Sequence, residues 1–222
     1  MTPRKLTPEL LDLLPPDDPG AVASRRDLVR INWVMRQHGA MARALSAFPP
    51  PAILADLGGG DGRFLLGVAK RLAIRWPGVR AVIADRQNIV ADQTRAGFAK
   101  LGWTCENLTG DIFETLPRLA PDIVIANLFL HHFEDAALAR LLGTVAAQAR
   151  GFVACEPRRN GFALLASRLV GVLGCNAVTR HDAVVSVEAG FNNHELSALW
   201  PSGWKTAEHI AYPFTHLFAA HV

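Results

Sequence analysis

This sequence of 222 residues has few cysteines, no long uninterrupted apolar run and no segment in which charge of one sign is concentrated. Cys105, Cys155 and Cys175 lie far apart and form no C-x-x-C pair, which argues against a disulfide framework and a zinc knuckle. The longest apolar stretches, near 126–133 and 162–174, are interrupted by histidine or arginine and fall short of a membrane span. We therefore expect no transmembrane helix.

The N-terminus lacks the apolar core of a signal peptide, and the net charge is only +3. The basic residues are mostly arginines scattered along the chain, whereas a nucleic-acid binder usually concentrates its charge on one face. We expect a cytoplasmic protein that does not bind nucleic acid. Peripheral membrane association and a homodimer are both compatible with this composition.

What the chain does have is a glycine-rich turn between a strand and a helix. The run 53–57 suits a buried parallel strand, and the apolar spacing over 63–72 is that of one helix face. Gly58, Gly60 and Gly62 lie between them, and glycine allows both positive φ angles and the close approach of a ligand. A tight turn without any ligand could also be rich in glycine.

Two classes of nucleotide-like ligand use such a turn. Dinucleotide enzymes require G-x-G-x-x-G, but Arg63 stands where the third glycine should be. Asp56 followed by three alternating glycines instead resembles the first motif of the class I S-adenosylmethionine (SAM)-dependent methyltransferases. The resemblance implies that Asp56 and these glycines bind SAM. An NAD-dependent oxidoreductase on the same fold and a non-catalytic SAM-binding protein are the alternatives.

Strand and helix patterns alternate from residue 53 onward. Five strands are predicted, at 53–57, 79–85, 103–108, 122–127 and 151–156. Strands spaced by helices imply an α/β fold with a doubly wound parallel sheet. The last two predicted strands, 204–210 and 214–222, follow each other as a hairpin would, and class I methyltransferases have such an antiparallel hairpin. The resemblance implies a seven-stranded, mostly parallel, Rossmann-like sheet in a SAM-binding domain at 51–222.

Residues 1–50 are predicted to form an N-terminal helical cap. A short helix precedes the proline-rich run 15–20, and one long helix is expected from about Ser24 to Phe48, where three prolines end it. This helix could cover the core and the ligand. It could also dock to a membrane or to a partner that carries an apolar substrate, or bind nucleic acid.

Ligands of open α/β sheets bind beyond the carboxyl ends of the strands. Asp85 ends the second strand, where an acidic side chain can accept hydrogen bonds from both ribose hydroxyls or simply cap a helix. In the methyltransferase family this position binds the ribose, with Arg86 beside it here. Asp111 and Ile112, after the third strand, match the family's adenine contacts, although Asp111 could instead be a turn residue.

The fourth strand ends in a segment that carries two adjacent histidines. The resemblance implies that backbone groups of Asn127 and Leu128 hold the methionine part of SAM and that the methyl acceptor lies nearby. His131 or His132 could accept a proton from an acceptor hydroxyl, because imidazole titrates near working pH, or could order the loop by hydrogen bonds. No known metal-binding spacing surrounds them, so no metal site is predicted.

An acceptor-binding insertion is predicted at about 157–192. Its candidate substrate-binding residues are Arg158, Arg180 and His181. His181 is also the third candidate base, since the neighbouring Asp182 could raise its basicity, although this stretch could equally be an exposed loop. The apolar segment 162–173 could line the acceptor pocket or pack on the sheet.

These features predict a SAM-dependent O-methyltransferase for a small, apolar acceptor with a phenolic or enolic oxygen. The chain also resembles small bacterial methyltransferases found beside polyketide and lipid biosynthesis enzymes. That resemblance alone favours a polyketide-like acceptor and a place in secondary metabolism. An RNA methyltransferase is opposed by the lack of an appended RNA domain and of an Asn-Pro-Pro-Tyr-like sequence at Asn127.

Overall fold

The computed structural model describes residues 3–222, so Met1 and Thr2 of the predicted cap lie outside the described part. Its strands are β1 (Ile53–Leu57), β2 (Arg80–Asp85), β3 (Thr104–Thr109), β4 (Ile123–Asn127), β5 (Gly151–Pro157), β6 (Lys205–Tyr212) and β7 (Thr215–His221). They form one sheet of order β3-β2-β1-β4-β5-β7-β6. Strands β1 to β5 are parallel, and β7 is antiparallel to both of its neighbours. The predicted fold class, including the C-terminal hairpin, is confirmed.

The helices pack on both faces of this sheet. They are α1 (Leu10–Leu13), α2 (Pro19–Val34), α3 (Gln37–Leu45), α4 (Arg63–Leu72), α5 (Asp92–Ala99), α6 (Ile112–Thr115), α7 (Asp135–Gln148), α8 (Gly161–Arg168), α9 (Ala177–Ala189) and α10 (Glu195–Leu199). Short 3₁₀ turns lie at Leu116–Arg118, Leu130–His132 and Val170–Leu173. Within residues 3–222, no helix combines the length and apolar character needed to span a bilayer.

Alternate residues of the strands are buried on opposite faces of the sheet. Leu54 of β1 packs in one core cluster with Met41 of α3 and Leu65 of α4. Leu57 of the same strand packs in a second cluster with Leu138 of α7. Each fully buried leucine contributes about 2 kcal/mol. The two cores fix β1 from both sides and so hold its carboxyl end, where the glycine turn begins.

The predicted single helix from Ser24 to Phe48 is wrong, because the chain turns between α2 and α3. Arg36 adopts a left-handed conformation with φ 54°, which is uncommon for a residue other than glycine. The turn lets α3 bury Met41 and Leu45 on the sheet while α2 packs elsewhere. One straight helix could not satisfy both contacts.

The part of the predicted insertion around His181, for which an exposed loop is the alternative, is helical, since 177–189 forms α9. This helix packs on α8 and α2. Buried Asp27 of α2 accepts hydrogen bonds from the Asn176 backbone N–H (2.8 Å) and the Thr179 hydroxyl (3.1 Å). The N-terminal helices and the predicted insertion therefore form one covering layer.

Candidate active site

The glycine turn joins β1 to α4 and is pinned to the end of β2. Gly58, Gly60 and Gly62 have φ angles of 65°, 54° and 74°, so all three use the conformation that favours glycine. The Gly60 N–H donates to Asp85 Oδ2 at 2.9 Å. A Cβ added at Gly60 would meet no atom within 4 Å, so open space borders the turn there. At Gly58 the corresponding space is filled by the ring of Phe129.

Asp56 lies beneath this turn and is shielded from solvent. A Cβ at Gly59 would lie 3.0 Å from the Asp56 carboxylate. Burial, and secondarily the charge of Asp85, raise the pKa of Asp56 well above its ordinary value. Its Oδ2 has no hydrogen-bond partner among the described residues. A buried polar atom without a hydrogen-bond partner is costly, so this oxygen needs a partner that the described residues do not supply.

Asp85 stands at the carboxyl end of β2, as predicted. Its Oδ1 accepts the Gln87 N–H at 2.8 Å, and its Oδ2 is the partner of Gly60. Each carboxylate oxygen still has a second lone pair. Arg86, the next residue, is exposed. The side chain thus shapes the turn and can accept further hydrogen bonds.

After β3, Asp111 caps α6 through a 2.8 Å hydrogen bond from the Phe113 N–H to its Oδ1. Asp111 is exposed, whereas Ile112 is buried in the second core cluster. Asp111 therefore does act as a turn residue, because its side chain accepts a hydrogen bond at the start of α6. Its other carboxylate oxygen remains able to accept a donor from an adenine amino group.

At the end of β4, Asn127 meets the N-terminal layer. Its Nδ2 donates to Asn32 Oδ1 of α2 at 3.1 Å, while its own Oδ1 has no partner within residues 3–222. Leu128 follows with φ 53°, a left-handed conformation that turns the chain sharply. Because β1 and β4 are adjacent parallel strands, Asn127 lies beside the glycine turn.

Glu156, near the end of β5, organises the loop that follows the neighbouring strand β4. Its Oε1 accepts the N–H groups of Phe129 and Leu130, at 3.0 and 2.9 Å. Its Oε2 lies 2.7 Å from Nδ1 of His131. Burial opposes ionisation of Glu156, but the His131 and backbone hydrogen bonds prevail and lower its pKa. One buried carboxylate thus fixes three consecutive residues.

His131 is buried between two carboxylates. Its Nε2 lies 3.2 Å from Oε1 of Glu9, which also accepts the hydroxyl of Ser186. Burial disfavours the imidazolium, but the hydrogen bonds to Glu156 and Glu9 outweigh it and raise the pKa of His131 to about 9. Burial likewise opposes ionisation of Glu9, yet the His131 hydrogen bond lowers its pKa to about 2. At neutral pH both ring nitrogens of His131 are engaged, which supports its role in ordering the loop.

His132 has a different environment. It is half-buried, and its Nδ1 lies 3.1 Å from Asp12 Oδ2. Its ring centroid is 4.4 Å from that of His131 and 6.4 Å from that of Phe129. The ring of Phe129 in turn lies against Gly58. The ring of Phe129 therefore lies near both His132 and the glycine turn.

Glu9, His131 and His132 also offer metal-ligand atoms within 4.8 Å of one another. His131 already pairs with Glu9 and Glu156, so a cation bound here would have to displace the proton that His131 shares with Glu9. His131 uses both of its ring nitrogens for these two carboxylates, so a metal ion would have to break at least one of the contacts.

The remaining predicted residues form no hydrogen bond or ion pair with this histidine pair within residues 3–222. His181 and Arg180 are exposed on α9, and Nδ1 of His181 contacts Asp182 Oδ1 at 3.0 Å. Asp182 also accepts the Leu10 N–H at 2.8 Å, so it ties α1 to α9. Arg158 is half-buried where β5 ends.

Four residues of this arrangement are absent from the sequence-based site: Glu9, Asp12, Asn32 and Glu156. The strand-end rule that selected Asp85 could also have selected Glu156, because it lies near the end of a strand beside β4. No sequence signal identifies Glu9, which is 122 positions away from its partner His131.

Comparison with known proteins agrees with this geometry. The model of the O-methyltransferase domain family matches residues 25–179. A methyltransferase of Mycobacterium tuberculosis is 42% identical over 93 residues, which cover 40% of this chain and 43% of that protein. The mitomycin biosynthesis 6-O-methyltransferase of Streptomyces lavendulae is 33% identical over 101 residues, which cover 45% of this chain and 27% of that protein. The matched region thus spans less than half the length of either relative.

Among solved structures, the plantazolicin methyltransferase BpumL in complex with S-adenosylhomocysteine (SAH) has the same fold. It superimposes with a TM-score of 0.63 at 13% identity, covering 92% of this chain and 91% of that one. The sheet order, the hairpin and the glycine turn after β1 define a class I methyltransferase fold. Because the family model matches more than half of its residues, the chain belongs to the O-methyltransferase domain family. The predicted family is confirmed.

Proposed function

We propose that this protein transfers a methyl group from SAM to an oxygen of a small, apolar acceptor. The observation that carries the proposal is the pair of unpartnered buried oxygens, Asp56 Oδ2 and Asn127 Oδ1, at the carboxyl ends of β1 and β4. SAM bears an ammonium and a sulfonium group, and carboxylate and amide oxygens suit such a cation. A dinucleotide would instead bring phosphate charge towards the carboxylates of Asp85 and Asp111 at the neighbouring strand ends, which supports SAM over NAD.

A SAM molecule bound in a single orientation could make all of the predicted contacts. Asp85 has lone pairs left for the ribose hydroxyls, with Arg86 at the same edge, and Asp111 and Ile112 lie one strand further along for the adenine. The open space at Gly60 leaves room between these groups and Asn127. When bound, SAM supplies an electrophilic methyl group. The contribution of the chain is to fix this group and the acceptor in alignment.

We assign the role of general base to His132. Nδ1 of His132 lies 3.1 Å from Asp12 Oδ2, and its Nε2 is the ring nitrogen left to take up the proton of an acceptor hydroxyl. His131 then acts as a positioning residue, because Glu156 holds it and the loop in place. His181, which is exposed and paired with Asp182, is the third candidate, and Arg158 and Arg180 are candidate acceptor contacts.

The first experiment is calorimetric titration of the purified protein with SAM, SAH and NAD in parallel. Binding of SAM and SAH without NAD is the expected result. Phenolic, enolic, amine and carbon acceptors would then be offered with SAM, and the products analysed by mass spectrometry. Binding of NAD alone would overturn the proposal. Binding of SAM without turnover of any acceptor would favour a non-catalytic SAM-binding protein.

A cytoplasmic location and a homodimer also belong to the proposal. None of Cys105, Cys155 and Cys175 forms a disulfide in the described part of the chain, which is compatible with a reducing compartment. Light scattering of the purified protein measures its oligomeric state directly.

A further inference from the structure

A continuous apolar surface lies on the covering layer, outside the glycine turn. Phe162 and Leu165 of α8, and Leu169 directly after its last residue, follow one another at intervals of three and four residues, so they lie on one side. All three are more than half exposed. Val172 and Leu173 continue this surface through the adjoining 3₁₀ turn, with 84% and 50% of their areas exposed.

The same surface extends onto α2. Leu173 lines a groove together with Val29, Trp33 and Val34 of that helix. Trp33 is 78% exposed, which is unusual for the largest apolar side chain. We call the combined surface the apolar face; its members are Val29, Trp33, Val34, Phe162, Leu165, Leu169, Val172 and Leu173.

The charged residues of the two helices that carry the apolar face are mostly basic. Helix α2 carries Arg25, Arg26 and Arg30, and Arg168 ends α8. Asp27, the single acidic residue of these two helices, is buried, accepts the Asn176 N–H and pairs with Arg30 at 3.2 Å. Four arginines against one aspartate give the two helices a net charge of +3. A second copy of the chain would bring arginine against arginine, whereas an anionic surface would be attracted.

The apolar face borders the candidate active site. Asn32, the residue before Trp33, contacts Asn127 at the end of β4. Helix α2 therefore presents Trp33 to the outside and Asn32 to the strand end beside the glycine turn. Whatever the apolar face binds is brought close to that strand end.

We propose that the apolar face docks the protein onto an anionic lipid bilayer, from which it takes a lipophilic methyl acceptor. The choice of acceptor rests on the proposed function, but the docking does not. Apolar side chains that insert between lipids, combined with surrounding arginines, are the two signals that stable peripheral binding requires. Strongly protruding side chains such as Val172 and Trp33 suit a fluid bilayer, which needs no matching shape.

Cosedimentation with vesicles tests the docking. We expect the protein to bind vesicles of equal parts phosphatidylcholine and phosphatidylglycerol at least tenfold more tightly than pure phosphatidylcholine vesicles, and to be released by high salt. The double variant Trp33→Ser/Leu169→Ser should lose at least tenfold in vesicle affinity. Ile74→Ser is the matched control, because Ile74 is fully exposed on a different part of the surface. The control should bind vesicles as the native protein does.

A second pair of variants tests the charge. Arg26→Glu/Arg168→Glu should abolish the preference for anionic vesicles, whereas Lys70→Glu/Arg118→Glu, exposed on other elements, should keep it. SAM titration and thermal unfolding of each variant show whether the fold is intact. They also separate failure of docking from failure of the proposed function. Absence of vesicle binding by the native protein, or equal binding by the Trp33→Ser/Leu169→Ser variant, would overturn the docking. A native dimer that this variant converts to a monomer would assign the apolar face to self-association instead.

Discussion

Nδ1 of His131 lies 2.7 Å from Oε2 of Glu156, and both side chains are buried. This contact joins the loop after β4 to the end of the neighbouring strand. Because the other oxygen of Glu156 holds two backbone N–H groups of the same loop, one carboxylate determines where the histidines stand.

Glu156→Gln should therefore destabilise the protein markedly. The change leaves the His131 imidazolium with Glu9 alone, and breaking a buried pair in this way costs roughly 3–5 kcal/mol. Urea unfolding measures the loss. In a double-mutant cycle with His131→Gln, the two changes should cost much less together than the sum of their separate effects. A loss below about 1 kcal/mol for Glu156→Gln would show that the pair does not hold the loop.

The stability of the protein should depend on pH through His131. Its folded pKa is about 9, against an ordinary value of 6.5, so its contribution is complete below pH 6.5 and is lost as pH rises to 9. The difference amounts to on the order of 3 kcal/mol. Glu9, with a folded pKa of about 2 against 4.5, contributes above pH 4.5 and loses its contribution as pH falls towards 2.

Unfolding free energies of the native protein and His131→Gln across pH 6–10 check this dependence. The gap between the two proteins should shrink as pH rises through 9. His209→Gln, a change at an exposed histidine of β6, should follow the native protein at every pH. A gap that stays constant with pH would exclude an imidazolium at His131.

Alanine at two glycines of the turn should have unequal effects. Both Gly58 and Gly60 have positive φ, so each alanine costs about 1 kcal/mol in backbone strain. At Gly58 the new Cβ would also lie 2.1 Å from Cδ2 of Phe129 and displace that ring, whereas at Gly60 it meets open space. Gly58→Ala should therefore lower the melting temperature more than Gly60→Ala. Addition of Phe129→Ala should remove part of the excess, and equal effects of the two alanines would contradict the contact.

Asp85→Ala should weaken SAM binding by about tenfold to a hundredfold, because a charged acceptor for the ribose and the anchor of Gly60 are lost together. Calorimetric titration gives the change in Kd. The matched control is Asp92→Ala, an exposed acid at the start of α5, which should bind SAM normally. Unchanged SAM binding by Asp85→Ala would show that another residue binds the ribose.

His132→Ala should leave SAM binding intact and slow turnover by roughly 10²–10⁴-fold, as expected for loss of a general base. Methyl transfer to an identified acceptor, measured over a range of pH, provides the comparison. His181→Ala should keep near-native turnover, because that side chain is exposed on α9. Native turnover in His132→Ala would remove His132 as the base and return the assignment to His131 or His181.

Much of the fold could be predicted from local patterns in the sequence. The strand bounds agree with the structure to within two residues. For β1, β2, β4 and β5 the reason is that buried parallel strands are continuous apolar runs. Asp56, Asp85 and Asn127 could be selected for a similar reason, since strand ends in such a sheet meet at one edge. The break at Arg36 could not be predicted, because no glycine or proline marks it and the packing of α3 on the sheet imposes it.

The sequence by itself determined the sheet, the glycine turn and the strand-end residues, because these depend on periodicity and on backbone conformations available to single residues. Only the tertiary structure decided what the two histidines do. Glu9 and Asp12 come from the N-terminal segment and Glu156 from a neighbouring strand, and the packing of α1 and α9 brings them together. Burial of His131 between two carboxylates, with His132 half-exposed beside it, gives two identical, adjacent side chains different partners and different access to solvent.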